Sequence, residues 1–167
     1  WARQSEVNQE LAGVEIPVGV RVSEEVRIGG YMDRLLRDGE GNYLVVDLKT
    51  GRSKPAKKEG EDHVQLMTYQ LALAHGAFDG HQVHDGEGMP RQGGVLVYPG
   101  ATTKKIGEIW QSDKSPEVLE EFAALLPPLV EEMRGPRITA STNKDCDKCP
   151  IRSICPVQEE GRMTTDA

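Results

Sequence analysis

No apolar run in the 167 residues approaches the length of about 20 that a helix needs to cross a bilayer, so a membrane-spanning helix is not expected. The start, Trp1-Ala2-Arg3-Gln4, has no initiator Met, no basic region and no apolar stretch behind it. It is therefore no secretory signal, and a chain opening on Trp reads as a piece of something larger. Cysteine is scarce and late: the three residues are Cys146, Cys149 and Cys155. An odd number, with no export signal, argues against a disulfide framework. Basic residues are outnumbered, 20 against 27 acidic, for a net charge of −7. By itself that balance disfavours a nucleic-acid partner, because backbone phosphates attract Lys and Arg. There is no internal repeat and no low-complexity tract.

Hydrophobic residues make up 37% and charged residues 28%, which suits a soluble globular chain long enough for one domain with its own core. The charge is unevenly placed, and distribution matters more than the sum. Between Leu48 and Lys58 lie Lys49, Arg52, Lys54, Lys57 and Lys58 with no acid, whereas Glu117 to Glu132 holds five acids and no base. The acidic segment reads as the solvated face of a helix.

Residues 1–12 read as a polar helix. Val14, Ile16, Val18, Val20 and Val22 alternate at period two, a strand signature. Val26 to Leu36 reads as a second strand, with Gly29-Gly30 marking a bulge or a close backbone approach. The turn cluster Asp38-Gly39-Glu40-Gly41-Asn42 then leads into a third strand, Tyr43 to Leu48, which predicts an antiparallel meander. Thr50 to Gly60 is a basic loop. Glu61 to His75 is a helix with Val64, Met67, Leu71 and Ala74 at helical spacing. Gly76 to Gln92 is a polar loop holding His81 and His84, a pair that reads as loop surface and not as a metal site. Gly93 to Pro99 and Thr103 to Trp110 are further strands. Ser115, before Pro116 and Glu117, marks the start of a helix that runs to about Arg134 with an interruption near Pro127-Pro128. Residues 135–158 are loop-rich, and the tail from Glu159 is polar and frayed. The order predicts an α/β fold, a central mixed β-sheet flanked by helices with a Cys-rich C-terminal loop. The expected division is 1–140 core, 141–158 Cys-rich staple and 159–167 tail.

Residues i and i+2 of a strand share a face, so Asp47 and Lys49 project together beside Val45 while Val46 and Leu48 turn the other way into a core. Pairing of strands two and three through the turn at 38–42 would set Asp33 beside Asp47. Two carboxylates suit Mg²⁺, which keeps several waters and needs few protein ligands. A neighbouring lysine adds positive charge where a phosphoryl transition state gains negative charge. Taken alone, Asp47-Leu48-Lys49 is ordinary strand-end surface; the joint order with Gly30-x-x-Asp33 before it and Gln65-x-x-x-Tyr69 after it is what gives it meaning. Gln65 and Tyr69 lie at i and i+4 of one helix face.

That ordered set, with Thr50-Gly51 following Lys49, resembles the PD-(D/E)XK nuclease superfamily. Within it the likeness is to the RecB-like nuclease domains of bacterial helicase–nucleases, the AddB and AdnA/AdnB type, over about residues 14–158. The resemblance implies a restriction-endonuclease-like core. It implies Asp33, Asp47 and the Leu48 carbonyl as ligands of Mg²⁺ or Mn²⁺, Lys49 as the water-orienting base or electrostatic stabiliser, Gln65 as an orienting group and Tyr69 as a contact to DNA. Arg52, Lys54, Lys57 and Lys58 would track phosphates. Many relatives carry an upstream His at the metal site; residues 1–13 contain none, and His63, His75, His81 and His84 all follow the catalytic strands.

Cys146-x-x-Cys149 is a strong chelate pattern, since two thiolates two residues apart reach one tetrahedral centre. With Cys155 and Pro156 the spacing resembles the C-terminal triplet of iron–sulfur nucleases of this family, where a fourth, N-terminal Cys completes a 4Fe–4S site. This chain has no fourth Cys. Three readings stand: the fourth ligand lies upstream of Trp1, the cluster has been lost, or the triplet holds zinc with an oxygen or His ligand.

The resemblance implies a metal-dependent deoxyribonuclease of exonuclease type, serving DNA repair and recombination beside a helicase module in the same polypeptide or complex. Its substrate would be single-stranded DNA or duplex ends, in the bacterial cytoplasm at the nucleoid, with no membrane partner. A catalytically inactive nuclease-fold module for DNA binding or scaffolding is the alternative, and a zinc-binding interaction module is a third reading.

Overall fold

The computed structural model of the protein describes residues 9–51, 56–76, 88–100, 106–136 and 140–162. The chain divides into two compact units, Trp1–Pro127 and Pro128–Ala167.

The first unit is built on a five-stranded sheet of order β1-β2-β3-β4-β5, formed by Glu10–Arg21, Arg27–Arg37, Tyr43–Leu48, Arg91–Tyr98 and Gly107–Gln111. All neighbours are antiparallel except β3 and β4, which run parallel across the helix α1, Val64–Ala74. The sheet is therefore mixed, as the element order requires. Asp38 sets the β2–β3 turn: its Oδ1 accepts from the backbone N–H of Glu40 and Asn42, and Gly41 takes the positive φ of 90° that the tight reversal needs.

The central strands are buried on both faces, which is why Leu44-Val45-Val46 and Val95-Leu96-Val97 are unbroken apolar runs. Val45 packs towards α1 with Ile16, Val18, Val20, Met32, Leu35, Ala72 and Leu73, and Leu66 with Leu96 and Ile109 extends the same layer. Val46 turns to the other face with Leu36, Leu44, Val95 and Val97.

Several expectations change. Glu10 to Ala12 belong to β1, not to a helix; residues 1–8 lie outside those described. Val14 keeps its place in the period-two pattern but is 51% exposed. Ala12 is an extra residue in the β1–β2 register, and Glu15 takes a φ of 49°, so the outer end of the hairpin does not present Val14 to the core. Leu48, expected in a core, is 38% exposed because β3 ends there. In α1 only Leu71 of the expected stripe is fully buried; the buried set is Leu66, Gln70, Leu71, Ala72 and Leu73, and Val64 is exposed. The helix is gripped on two sides, by the sheet and by α2 (Pro116–Ala124), so a single stripe does not describe it.

Ser115 caps α2 by accepting from the Val118 N–H. The break towards α3 (Leu126–Arg134) falls at Leu125. Pro127-Pro128 occupy the first turn of α3, where a missing N–H costs nothing. The expected strand at 103–110 is observed from Gly107, with 101–105 outside the described residues, and β4 begins at Arg91, two residues before the expected start. His81 and His84 also lie outside the described residues.

In the second unit the cysteine segment forms two single turns of 3₁₀ helix, Cys146–Lys148 and Arg152–Ile154. Glu159–Arg162, expected to fray, forms a helical turn, α4. Arg152 pairs with Asp147 and Glu160, tying the turns to α4.

Candidate active site

The sheet register puts the two acidic positions side by side. Arg34 pairs with Val46, so the next step of the antiparallel ladder sets Asp33 against Asp47. The Leu48 N–H donates to Asp33 Oδ2 at 2.6 Å, which fixes that carboxylate at the end of β3. Met32 and Leu35, three residues apart, belong to the same core layer, so face alternation slips by one between them. Glu15 lies between the paired Val14↔Arg34 and Ile16↔Met32, opposite Asp33, and carries the positive φ. Irregularity beside a carboxylate is a common way for a strand to re-aim a side chain.

Asp47 is 3% exposed and sits on the α1 side of the sheet, as Val45 does. Its Oδ1 accepts from Gln65 Nε2 at 2.8 Å. The Gln65 carbonyl oxygen accepts from Lys49 Nζ at 2.5 Å, so one amide links the carboxylate to the ammonium. Gln65 Nε2 also donates to the Tyr69 hydroxyl at 3.0 Å. That hydroxyl donates to the Tyr31 carbonyl at 2.9 Å and stands 3.5 Å from Asp47 Oδ1. The backbone N–H of Lys49 donates to the Val97 carbonyl, carrying the β3–β4 ladder one residue past the strand and holding the lysine in line. Asp33, Asp47, Lys49, Gln65 and Tyr69 thus form one connected constellation.

Asp47 Oδ2 lies 2.6 Å from Lys49 Nζ, yet it is buried and receives no hydrogen bond; the contact is one of charge, its angle too poor for a directed bond. A buried carboxylate oxygen without a donor is costly unless something cationic completes it. Among the described residues no three His, Cys, Asp or Glu side chains are grouped to hold a metal. Asp33 and Asp47, on adjacent strands, would offer an ion a sparse, all-oxygen donor set, to which the resemblance adds the Leu48 carbonyl. That set fits Mg²⁺ or Mn²⁺, which take oxygen ligands and retain water, and it fits zinc poorly.

Two further groups flank the constellation. Burial pulls the His63 imidazole below its ordinary pKa, with the Lys49 charge acting the same way and Asp47 opposing, and its Nδ1 is buried without a partner among the described residues. Burial likewise raises the Tyr98 hydroxyl, and it raises that of Tyr69 against the Gln65 hydrogen bond. A cleft of about 770 Å³ opens beside Gln65, lined by Lys58, Glu59, Asp62, His63 and Val64. Of the basic residues expected to follow DNA, Lys58 is exposed on this cleft. Lys57 opens the turn Lys57–Glu59, its side chain outside the described set. Arg52 and Lys54 also lie outside the described residues.

Sequence reading did not find what holds α1 against β3. Gln111 at the end of β5 is 1% exposed and donates to the carbonyls of Gly60, Glu61 and His63, each at 3.1 Å. Its Oε1 accepts from the equally buried Gln70. The Gln70 carbonyl oxygen accepts from the Lys114 N–H, and Glu61 accepts from Ser112 and Lys114. The segment entering α1 is thereby fastened two residues before Gln65. The available signal was two glutamines in otherwise apolar surroundings, a pattern with no motif attached. Gln111→Met keeps the volume and strips the amide's two N–H donors, shared among three carbonyls, and its one acceptor oxygen. It is expected to lower unfolding stability by about 2–4 kcal/mol. Urea denaturation measures it, and a loss under about 1 kcal/mol would show the anchor to be dispensable.

Cys146, Cys149 and Cys155 are half-buried free thiols, and Cys146 Sγ accepts from the Asn143 N–H. They do not converge as a ligand group in this structure.

A mixed sheet with a parallel β3–α1–β4 crossover, flanked by helices and carrying paired acidic residues and a lysine at the end of its central strands, defines a restriction-endonuclease-like fold. The model of the PD-(D/E)XK nuclease superfamily matches residues 1–156, and the chain belongs to that superfamily, whose members are nucleases that usually use divalent metal ions. No curated protein matches significantly. Among solved structures, the chain is similar to the crystal structure of SSO0001, at 20% identity and a TM-score of 0.45, over 90% of this chain. It spans 60% of that protein's chain. Among the described residues no helix is long and apolar enough to cross a membrane.

Proposed function

We propose that the protein is a divalent-metal-dependent deoxyribonuclease domain of exonuclease type, hydrolysing phosphodiesters in single-stranded DNA or at duplex ends. The observation that carries this is the single network joining Asp47, Lys49, Gln65 and Tyr69, with Asp33 one strand away. Asp33, Asp47 and the Leu48 carbonyl hold Mg²⁺ or Mn²⁺. When bound, the ion supplies charge stabilisation on the scissile phosphate and lowers the pKa of an attacking water. Lys49, held by the Gln65 amide, would orient an attacking water and place positive charge beside the phosphate as it gains negative charge. Tyr69 ties the helix to the strand that carries Asp33. Lys58, with Arg52, Lys54 and Lys57, follows the DNA backbone.

The order of motifs supports a RecB-like assignment of the AddB or AdnA/AdnB type, acting with a helicase module in DNA repair and recombination. In this reading residues 1–140 form the nuclease core and 141–158 a Cys-rich staple. Labelled single-stranded DNA incubated with Mn²⁺, with and without chelator, tests the activity. Cleavage that needs the ion supports the reading, and ion-independent cleavage overturns it.

The triplet Cys146, Cys149 and Cys155 supplies three thiolates of the four that a 4Fe–4S cluster takes, the fourth coming from outside these residues. The full protein, purified anaerobically, is then expected to be coloured and to contain about four irons per chain. A colourless, iron-free full-length protein would remove the cluster.

A further inference from the structure

The walls of the cleft beside Gln65 are not those of a channel that only follows phosphates. Its volume of about 770 Å³ falls in the range of about 300–1,000 Å³ usual for small-molecule sites. One cation, Lys58, borders it against two carboxylates, Glu59 and Asp62, a balance that opposes a phosphate. The other walls are His63, Val64 and Gln65. Gln65 is shared with the constellation, where its amide donates to Asp47 and accepts from Lys49. The cleft therefore adjoins the place where a scissile phosphate would lie.

The fold does not account for the side chains on these walls. In this segment the carboxylate that serves the structure is Glu61, which accepts from Ser112 and Lys114. Glu59 and Asp62 are exposed and have no side-chain partner among the described residues. Val64 is 65% exposed at the start of α1, an aliphatic surface beside the cleft. His63 sits at the N-cap of α1 without capping it, and its Nδ1 is buried with no partner among the described residues. Its backbone, by contrast, is fixed. The His63 N–H donates to the Gly60 carbonyl, and its own carbonyl accepts from Met67 and Gln111. The imidazole is thus half-buried on a rigid mount, and no structural hydrogen bond uses it. Burial and the Lys49 charge, opposed by Asp47, hold the ring below its ordinary pKa, so it is neutral at neutral pH. A neutral imidazole offers a π-face on which an unpaired base can stack.

We infer that the cleft receives an unpaired nucleobase next to the scissile phosphate, stacked on His63 and Val64, with Glu59 and Asp62 accepting hydrogen bonds from its exocyclic amino group. The nuclease reading supplies the identity of the ligand; the cleft adds a preference among bases. Cytosine carries such an amino group and thymine does not, and a carboxylate is the natural acceptor for the cytosine N4 group. A base inside an intact duplex is stacked and paired, so the cleft selects single-stranded DNA or the frayed strand of an end.

The test is binding of labelled oligodeoxycytidine and oligothymidine in Ca²⁺, read by fluorescence anisotropy, with cleavage in Mn²⁺ measured alongside. The wild-type protein is expected to bind the cytidine strand at least about 5-fold more tightly than the thymidine strand. Glu59→Ala combined with Asp62→Ala brings the two affinities within about twofold of each other, and the melting temperature holds because both positions are exposed. His63→Ala weakens binding of the cytidine strand roughly 5- to 100-fold, and His63→Phe, which keeps an aromatic face, stays within about threefold of wild type. Equal binding of the two strands by wild type overturns the inference. So does a preference that survives loss of both carboxylates, a His63→Phe protein as weak as His63→Ala, or wild-type protein that binds no single-stranded DNA. Base-selective binding without metal-dependent cleavage leaves the cleft assignment standing and removes the nuclease reading; metal-dependent cleavage without base selection does the reverse.

Discussion

Asp47→Ala is expected to reduce single-strand cleavage at least about a thousandfold, equivalent to about 4 kcal/mol of lost transition-state stabilisation. Asp47 is the one fully buried carboxylate of the constellation, and its Oδ2 lacks a hydrogen-bond donor. A structural ion pair of this burial would be completed on both oxygens, and truncating it would cost several kcal/mol of stability. The arrangement here points the other way. Lys49 is 29% exposed and can turn to solvent when its partner is removed. The variant therefore keeps its fold, with a melting temperature near or above that of wild type, because a strained, partly unsatisfied site is traded for stability. Mn²⁺ raises the wild-type melting temperature by mass action and leaves that of Asp47→Ala unmoved. Cleavage that persists in Asp47→Ala, or a variant that fails to fold, would sink the assignment.

Lys49→Met is expected to lower turnover by roughly a hundred- to a thousandfold while sparing the ion response. The ammonium is aimed by two contacts, the Gln65 carbonyl oxygen at 2.5 Å and Asp47 Oδ2 at 2.6 Å. With the ammonium gone, Asp47 loses a competitor for the ion, so the Mn²⁺-induced rise in melting temperature holds or grows. Lys49→Arg does not restore turnover, because a planar guanidinium cannot reproduce a compact point charge at this spacing. Without the ion the variant is less stable, by up to about 3–5 kcal/mol, because removing the ammonium leaves the buried Asp47 carboxylate uncompensated. Single-turnover rates and thermal shifts separate the two effects. A Lys49→Met protein that cuts within about tenfold of wild type, or that loses its ion response, would show that the lysine serves the metal site and not the reaction step.

Much of the scaffold was legible because its signals are local. The turn cluster at 38–42 uses Asp38 and Gly41 in the roles their chemistry allows, and a short reversal between two apolar runs leaves an antiparallel hairpin as its natural outcome. Alternation at 14–22 and the unbroken apolar runs Leu44-Val45-Val46 and Val95-Leu96-Val97 mark strands. From that hairpin the proximity of Asp33 and Asp47 follows by counting. The helix α1 was placed correctly and its buried face was not. Val64, the first residue of the expected stripe, is exposed, and Gln70, outside it, is fully buried. A helix held by the sheet on one side and α2 on another has no single apolar stripe to read. Leu48 was misplaced for a related reason: strand alternation assigns a face, and it does not say whether anything covers that face where the strand stops.

The sequence by itself determined the class of fold, the superfamily and the order of the site residues, because those depend on period, turn chemistry and short spacing along the chain. Tertiary structure alone decided how the parts are used. Gln65 bridges Lys49 and Asp47 across an amide, Gln111 fastens the approach to α1 through three carbonyls, and the Tyr31 carbonyl is held by the Tyr69 hydroxyl. These contacts join residues between 16 and 51 positions apart. Their geometry depends on how strands and helix stack, and side-chain hydrogen bonds of that range leave no periodic trace in a sequence.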